Sequence, residues 1–71
     1  MAESVYKVIE LVGTSTESWE KAAKTAVERA AKKLRDLRVA EIVQLDLTTE
    51  KGKVVLYRAK VKVSFKYHEG E

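Results

Sequence analysis

Four cations, Arg58, Lys60, Lys62 and Lys66, fall at even positions near the end of a 71-residue chain. In an extended strand alternate side chains point the same way about 7 Å apart, so the four share one face. Two readings of that row stay open. It is an anion-binding surface for a phosphate-bearing cofactor or a nucleic acid, or it is a solvated sheet face whose charges pair across strands with Glu10, Gln44 and Asp46. No aromatic residue alternates with the cations on that side, so stacking of single strands is poorly supported and a nucleic-acid partner is not expected. A second basic cluster, Arg29, Lys32, Lys33 and Arg35, falls on and beside an outer helix surface, where long cationic side chains ordinarily serve solvation.

Catalytic chemistry has little to draw on. The absence of cysteine removes thiol catalysis, zinc fingers, iron-sulfur sites and disulfides, and one histidine, His68, cannot make a histidine-based metal site. The serines and threonines have no histidine placed to activate them. Glu41 and Asp46, the one imaginable carboxylate pair, fall on opposite faces of an extended strand, a poor arrangement for proton transfer. No enzyme is expected.

The net charge of +3 with 35% charged residues describes a mildly basic, well-solvated surface. No apolar run reaches the roughly 20 residues of a membrane span, and Met1-Ala2-Glu3-Ser4 lacks the features of a signal peptide. No membrane association and a cytoplasmic location are expected. With no proline, three glycines and no linker, residues 1–71 read as a single domain. A chain this short buries only about 60% of its unfolded surface, and self-association is the staple left to it.

The elements that must position these residues begin with one helix. Trp19, Ala22, Ala23, Ala26, Val27, Ala30, Ala31, Leu34 and Leu37 follow a single-face helical recurrence and predict a helix over Thr14–Leu37, opened by a Thr14/Glu17 capping box and closed by Lys32, Lys33, Arg35 and Arg38. Before it, residues 4–12 predict a strand apolar on both sides, with Gly13 as a flexible turn into the cap. After it come a strand over residues 39–49 and another over Val54–Tyr67, joined by a polar loop at Thr49–Lys53. In the first of these Val39, Glu41, Val43, Leu45 and Leu47 read as one side, with Ala40, Ile42, Gln44, Asp46 and Thr48 as the other, an imperfect alternation. The last strand has a clean period of two, and its length predicts that it extends past its own subunit or curls around the helix. The resulting class is α+β: β-α-β-β, an antiparallel-rich three-stranded sheet curled around one helix, with the first strand parallel to a neighbour through the helical crossover. An apolar sheet face and a sheet edge are left for other copies to cover. The tail from His68 to Glu71 is expected to fray.

The run Val5-Tyr6-Lys7-Val8-Ile9-Glu10-Leu11-Val12-Gly13-Thr14-Ser15, the alanine-rich helix and the strand Tyr57-Arg58-Ala59-Lys60-Val61-Lys62-Val63-Ser64-Phe65 together resemble the dodecins over nearly the whole chain. The resemblance implies a hollow homododecamer that holds flavins as stacked pairs between subunits and in several members also binds coenzyme A. It also implies where this chain departs. Val39 stands where flavin dodecins start the second strand with the stacking tryptophan, Arg58 replaces the flavin-binding glutamine, and Asp46 replaces an arginine. Arg58 and Asp46 are expected to pair and close the pocket, leaving binding of riboflavin or FMN weak or lost, and Trp19 is no substitute because it lies in the first helical turn. Carried over by position, the coenzyme A contacts fall on Lys7, Arg29, Lys33, Leu34 and Arg35, whose cations are retained. The Ser18-Trp19-Glu20 string and the Arg38-Val39-Ala40 strand start look closer to a divergent calcium-binding branch, which makes calcium the alternative ligand, held by carboxylates such as Asp46 and Glu41 gathered at symmetry axes.

Overall fold

A computed structural model describes residues 3–67, so the tail from His68 onward lies outside the described residues. The elements are β1 (Tyr6–Ser15), α1 (Trp19–Ala31), β2 (Leu37–Glu50) and β3 (Lys53–Lys66), the expected β-α-β-β order. Among the described residues no helix is long and apolar enough to cross a membrane.

The sheet order is β1-β3-β2 with both pairings antiparallel, so among the described residues the expected parallel neighbour for β1 is not present. β1 and β2 do run in the same direction, but β3 returns between them. A tight hairpin forces β3 antiparallel beside β2. Its uninterrupted alternation then suits it for the centre, where both of its edges are paired. The hairpin turns on two residues, Lys51 and Gly52, both at positive φ (52° and 78°), the signature of a turn that matches strand twist.

The helix is shorter than its periodicity predicts. Thr14 and Ser15 stay in β1, opposite Arg58 and Tyr57, and are therefore unavailable as a cap. Ser18 caps instead, in an extended conformation, with its Oγ accepting from the Lys21 amide at 3.1 Å, while the Ser15 Oγ accepts from the Glu17 amide at 2.9 Å. Glu17 pairs with Lys21 one turn on rather than closing a capping box. At the other end the Lys33 and Leu34 amides both reach the Ala30 carbonyl, and Asp36 at φ 57° reverses the chain into β2. Leu34 therefore lies in the connecting turn and Leu37 opens β2, although both still pack on the core.

Ala22, Ala26, Ala59, Val61 and Val63 form the buried core. Gly13 belongs to this packing and makes no flexible turn. It is a buried strand residue opposite Ala59, and a Cβ there would drive into the Ala22 carbonyl and sit 2.9 Å from the Ala26 Cβ. Glycine is required because the helix backbone lies on the strand backbone at this point.

Register shifts in β2 resolve its imperfect alternation. Ile42 is opposite Val61 and Gln44 opposite Lys60, which leaves Val43 as an extra residue and resets the pleat. Ala40, Ile42, Leu45 and Leu47 consequently share the helix side with Val63, Val61, Ala59 and Tyr57. Val39, Glu41, Gln44 and Asp46 share the other side, so Glu41 and Asp46 are on one face and not on opposite faces as an unbroken strand predicts. The helix covers mainly β1 and β3, and the hairpin runs beyond it to give a chain 54 Å in its longest dimension. Ile42, Leu45 and Leu47 remain exposed on β2, the strand that the helix covers least, and Val54 is exposed near the hairpin end.

Candidate functional site

The sheet face away from the helix is laid out by register in rows across β1, β3 and β2. These run Val8–Ser64–Val39, Glu10–Lys62–Glu41, Val12–Lys60–Gln44 and Thr14–Arg58–Asp46. The cation row of β3 is thus flanked by the residues expected to pair with it, Lys62 lying between two glutamates. The decisive contact is in the last row. Arg58 Nε donates to Asp46 Oδ1 at 2.8 Å and its Nη2 to Oδ2 at 3.4 Å, the ion pair expected from the two substitutions. The hydrogen bond to Asp46 first, and the carboxylate's charge second, raise the Arg58 guanidinium above its already high value, so it stays charged. In the single chain both side chains are about two-fifths exposed, so the pair is not buried.

Trp19 braces this pair from behind. Its Nε1 donates to the Asp46 carbonyl at 3.1 Å, and its ring meets Tyr57 edge-on at 5.3 Å. Tyr57 is a helix-side residue, so Trp19 lies on the opposite side of the sheet from the Asp46 carboxylate. Its place at the start of the helix conceals this role in the sequence, because the partner carbonyl is 27 residues away.

Val39, Asp46 and Arg58 share one face but do not converge within a chain. Val39 is opposite Ser64, six residues along β3 from Arg58, or about 20 Å at the rise of an antiparallel strand. Glu41 and Asp46 are likewise opposite Lys62 and Arg58, four residues apart along β3, or about 14 Å. No group of three or more carboxylate or histidine side chains able to hold a metal occurs among the described residues.

The five remaining candidates do come together. Arg29, Lys33 and Leu34 line a cleft of about 590 Å³ between α1 and β1, floored by Ile9, Leu11 and Ala26. Lys7, Lys33, Leu34 and Arg35 line an adjoining cleft of about 420 Å³ with Phe65 and Lys66. Lys33 and Leu34 belong to both. Arg29 and Lys33 are one turn apart on α1 and its end, on a common side, and Lys7 reaches the same end because it is opposite Phe65 on the helix side. The walls contributed by Gly13, Thr25 and Phe65 carry no signal in the sequence. They emerge from helix-to-strand packing that periodicity does not position.

A model of the dodecin family matches residues 5–68. The chain belongs to the dodecin family. The calcium dodecin of Mycobacterium tuberculosis is 48% identical over 63 residues, covering 89% of each chain. The crystal structure of that protein, described as a calcium-chelating immunodominant antigen with a novel calcium-binding site, superposes with a TM-score of 0.83 at 44% identity over 96% of this chain and 97% of that one. The dodecin of Thermus thermophilus is 40% identical over 65 residues, covering 92% of this chain and 94% of that one. The structure of the Streptomyces coelicolor dodecin gives a TM-score of 0.90 at 34% identity, covering 99% of this chain and all of that one. This dodecin thus has the β-α-β-β fold of its relatives throughout, and within that fold its outer face carries the Asp46–Arg58 pair.

Proposed function

We propose that this dodecin is a non-catalytic, cytoplasmic ligand-binding and storage particle, a hollow homododecamer whose main cofactor is coenzyme A and whose flavin binding is weak or lost. The observation that carries the reading is the convergence of Lys7, Arg29, Lys33, Leu34 and Arg35 on two adjoining clefts. Cations around a cleft of this size suit a phosphate-bearing cofactor, since each phosphate oxygen accepts a charge-assisted hydrogen bond. Flavin is disfavoured for a separate reason. Val39 gives no aromatic plane, and Arg58 gives only donors and is already bound to Asp46.

Assembly follows from the outer face, where Tyr6, Val8, Val12 and Val39 are each close to half exposed or more. A second copy laid on that face would cover them and bring the separated Val39 and Arg58 positions of two chains together. Isothermal titration of coenzyme A into the purified particle tests the function. Binding that weakens at least tenfold when Arg29 and Lys33 are both changed to glutamate supports it, and equal binding by that variant refutes the placement.

Calcium is the second reading, supported by the 48% identity to a calcium dodecin. Since Glu41 and Asp46 lie far apart in one chain, such a site would draw its oxygens from more than one copy. Calcium titration in the absence of coenzyme A separates the two.

A further inference from the structure

Resting on the coenzyme A reading above, we propose that the preferred ligand is the acylated cofactor, its nucleotide end in the cationic cleft and its acyl chain in the groove between α1 and β1. The two clefts differ in chemistry. The one lined by Lys7, Lys33 and Arg35 beside Phe65 is cationic, which suits phosphates. The other is walled by Ile9, Leu11, Ala26, Ala30 and Leu34, an apolar lining that a bare phosphate chain does not need. Charge complementarity sets the direction of binding, since Lys33 and Leu34 line both clefts and the phosphates belong beside the cations that Lys33 shares with the second cleft. From Thr25 to Leu34 the groove follows the helix and its terminal turn, about 13 Å at the helical rise. That length accepts a chain of medium size beside the thioester.

The test is a titration series with coenzyme A and its acetyl, butanoyl and octanoyl thioesters, run with the intact particle and with Ala30→Phe, which fills the groove. Burying apolar carbon gains at most about fourfold in affinity per methylene. The expected result is octanoyl-coenzyme A binding at least tenfold tighter than the acetyl form. Ala30→Phe should lose that difference, read as the ratio of octanoyl to acetyl affinity within the variant. The wild-type series decides the matter even where the variant does not fold. Equal affinity for coenzyme A and its octanoyl thioester overturns the inference while the coenzyme A reading survives, as expected if a neighbouring copy fills the groove. Octanoate competing as well as the thioester overturns the nucleotide anchor. Absence of binding by any member of the series overturns both readings.

Discussion

Replacing Gly13 with alanine gives a prediction whose sign alone is informative. The position is extended, so alanine is conformationally allowed, and in open space the change would stabilise the chain by about 0.4–1 kcal/mol through its effect on the unfolded state. The added methyl would instead drive into the Ala22 carbonyl and stand 2.9 Å from the Ala26 Cβ. Backbone atoms cannot rotate aside, so α1 must lift from β1. Overpacking of this kind costs about 1–3 kcal/mol, and each kcal/mol shifts the unfolding midpoint of a small domain by about 4–8 °C. The expected outcome is a fall of about 10 °C in the Tm followed by circular dichroism, at one fixed protein concentration because assembly contributes to apparent stability. Gly52 is the control, with nothing within 4 Å of its virtual Cβ but a φ of +78°. Alanine there should cost about 1–2 kcal/mol from left-handed strain, and asparagine, which tolerates that region, should recover most of it. Asparagine at position 13 should recover nothing. A Gly13→Ala protein with an unchanged or raised Tm would refute the close-approach argument, and with it the geometry of the cleft that Gly13 helps to line.

The other predictions concern the face and its brace. Riboflavin titrated against intrinsic fluorescence should show weak quenching, and Val39→Trp with Arg58→Gln together should restore part of the affinity; tight stoichiometric quenching by the unmodified protein contradicts the reading. Light scattering should give a dodecameric mass, and Val8→Lys, at a position 55% exposed in the single chain, should shift it to smaller species with secondary structure retained. A stable monomer of the unmodified chain at micromolar concentration would sink the assembly. Trp19→Phe keeps most of the ring contact with Tyr57 but loses the donor to the Asp46 carbonyl, for an expected loss of about 1 kcal/mol by chemical denaturation.

Local chemistry made much of this molecule legible from its residues. The strict alternation from Val55 to Tyr67 identifies β3 because a pleated strand has a period of two, and its even positions are the cation row seen on the outer face. The alanine face marks the helix for an equally local reason. Asp46 and Arg58 are legible as an ion pair, because neighbouring strands bring complementary charges opposite one another. Tertiary structure decided what a period cannot carry. Thr14 and Ser15 have the composition of a helix cap, yet the ladder with β3 holds them in a strand and moves the cap to Ser18. One extra residue at Val43 transfers Val39 and Glu41 to the face of Asp46, since each register slip of one residue inverts every side chain beyond it. Gly13, Trp19 and the two clefts depend on where the helix lies across the sheet. That placement comes from long-range packing of small side chains and leaves no recurring pattern in the chain itself.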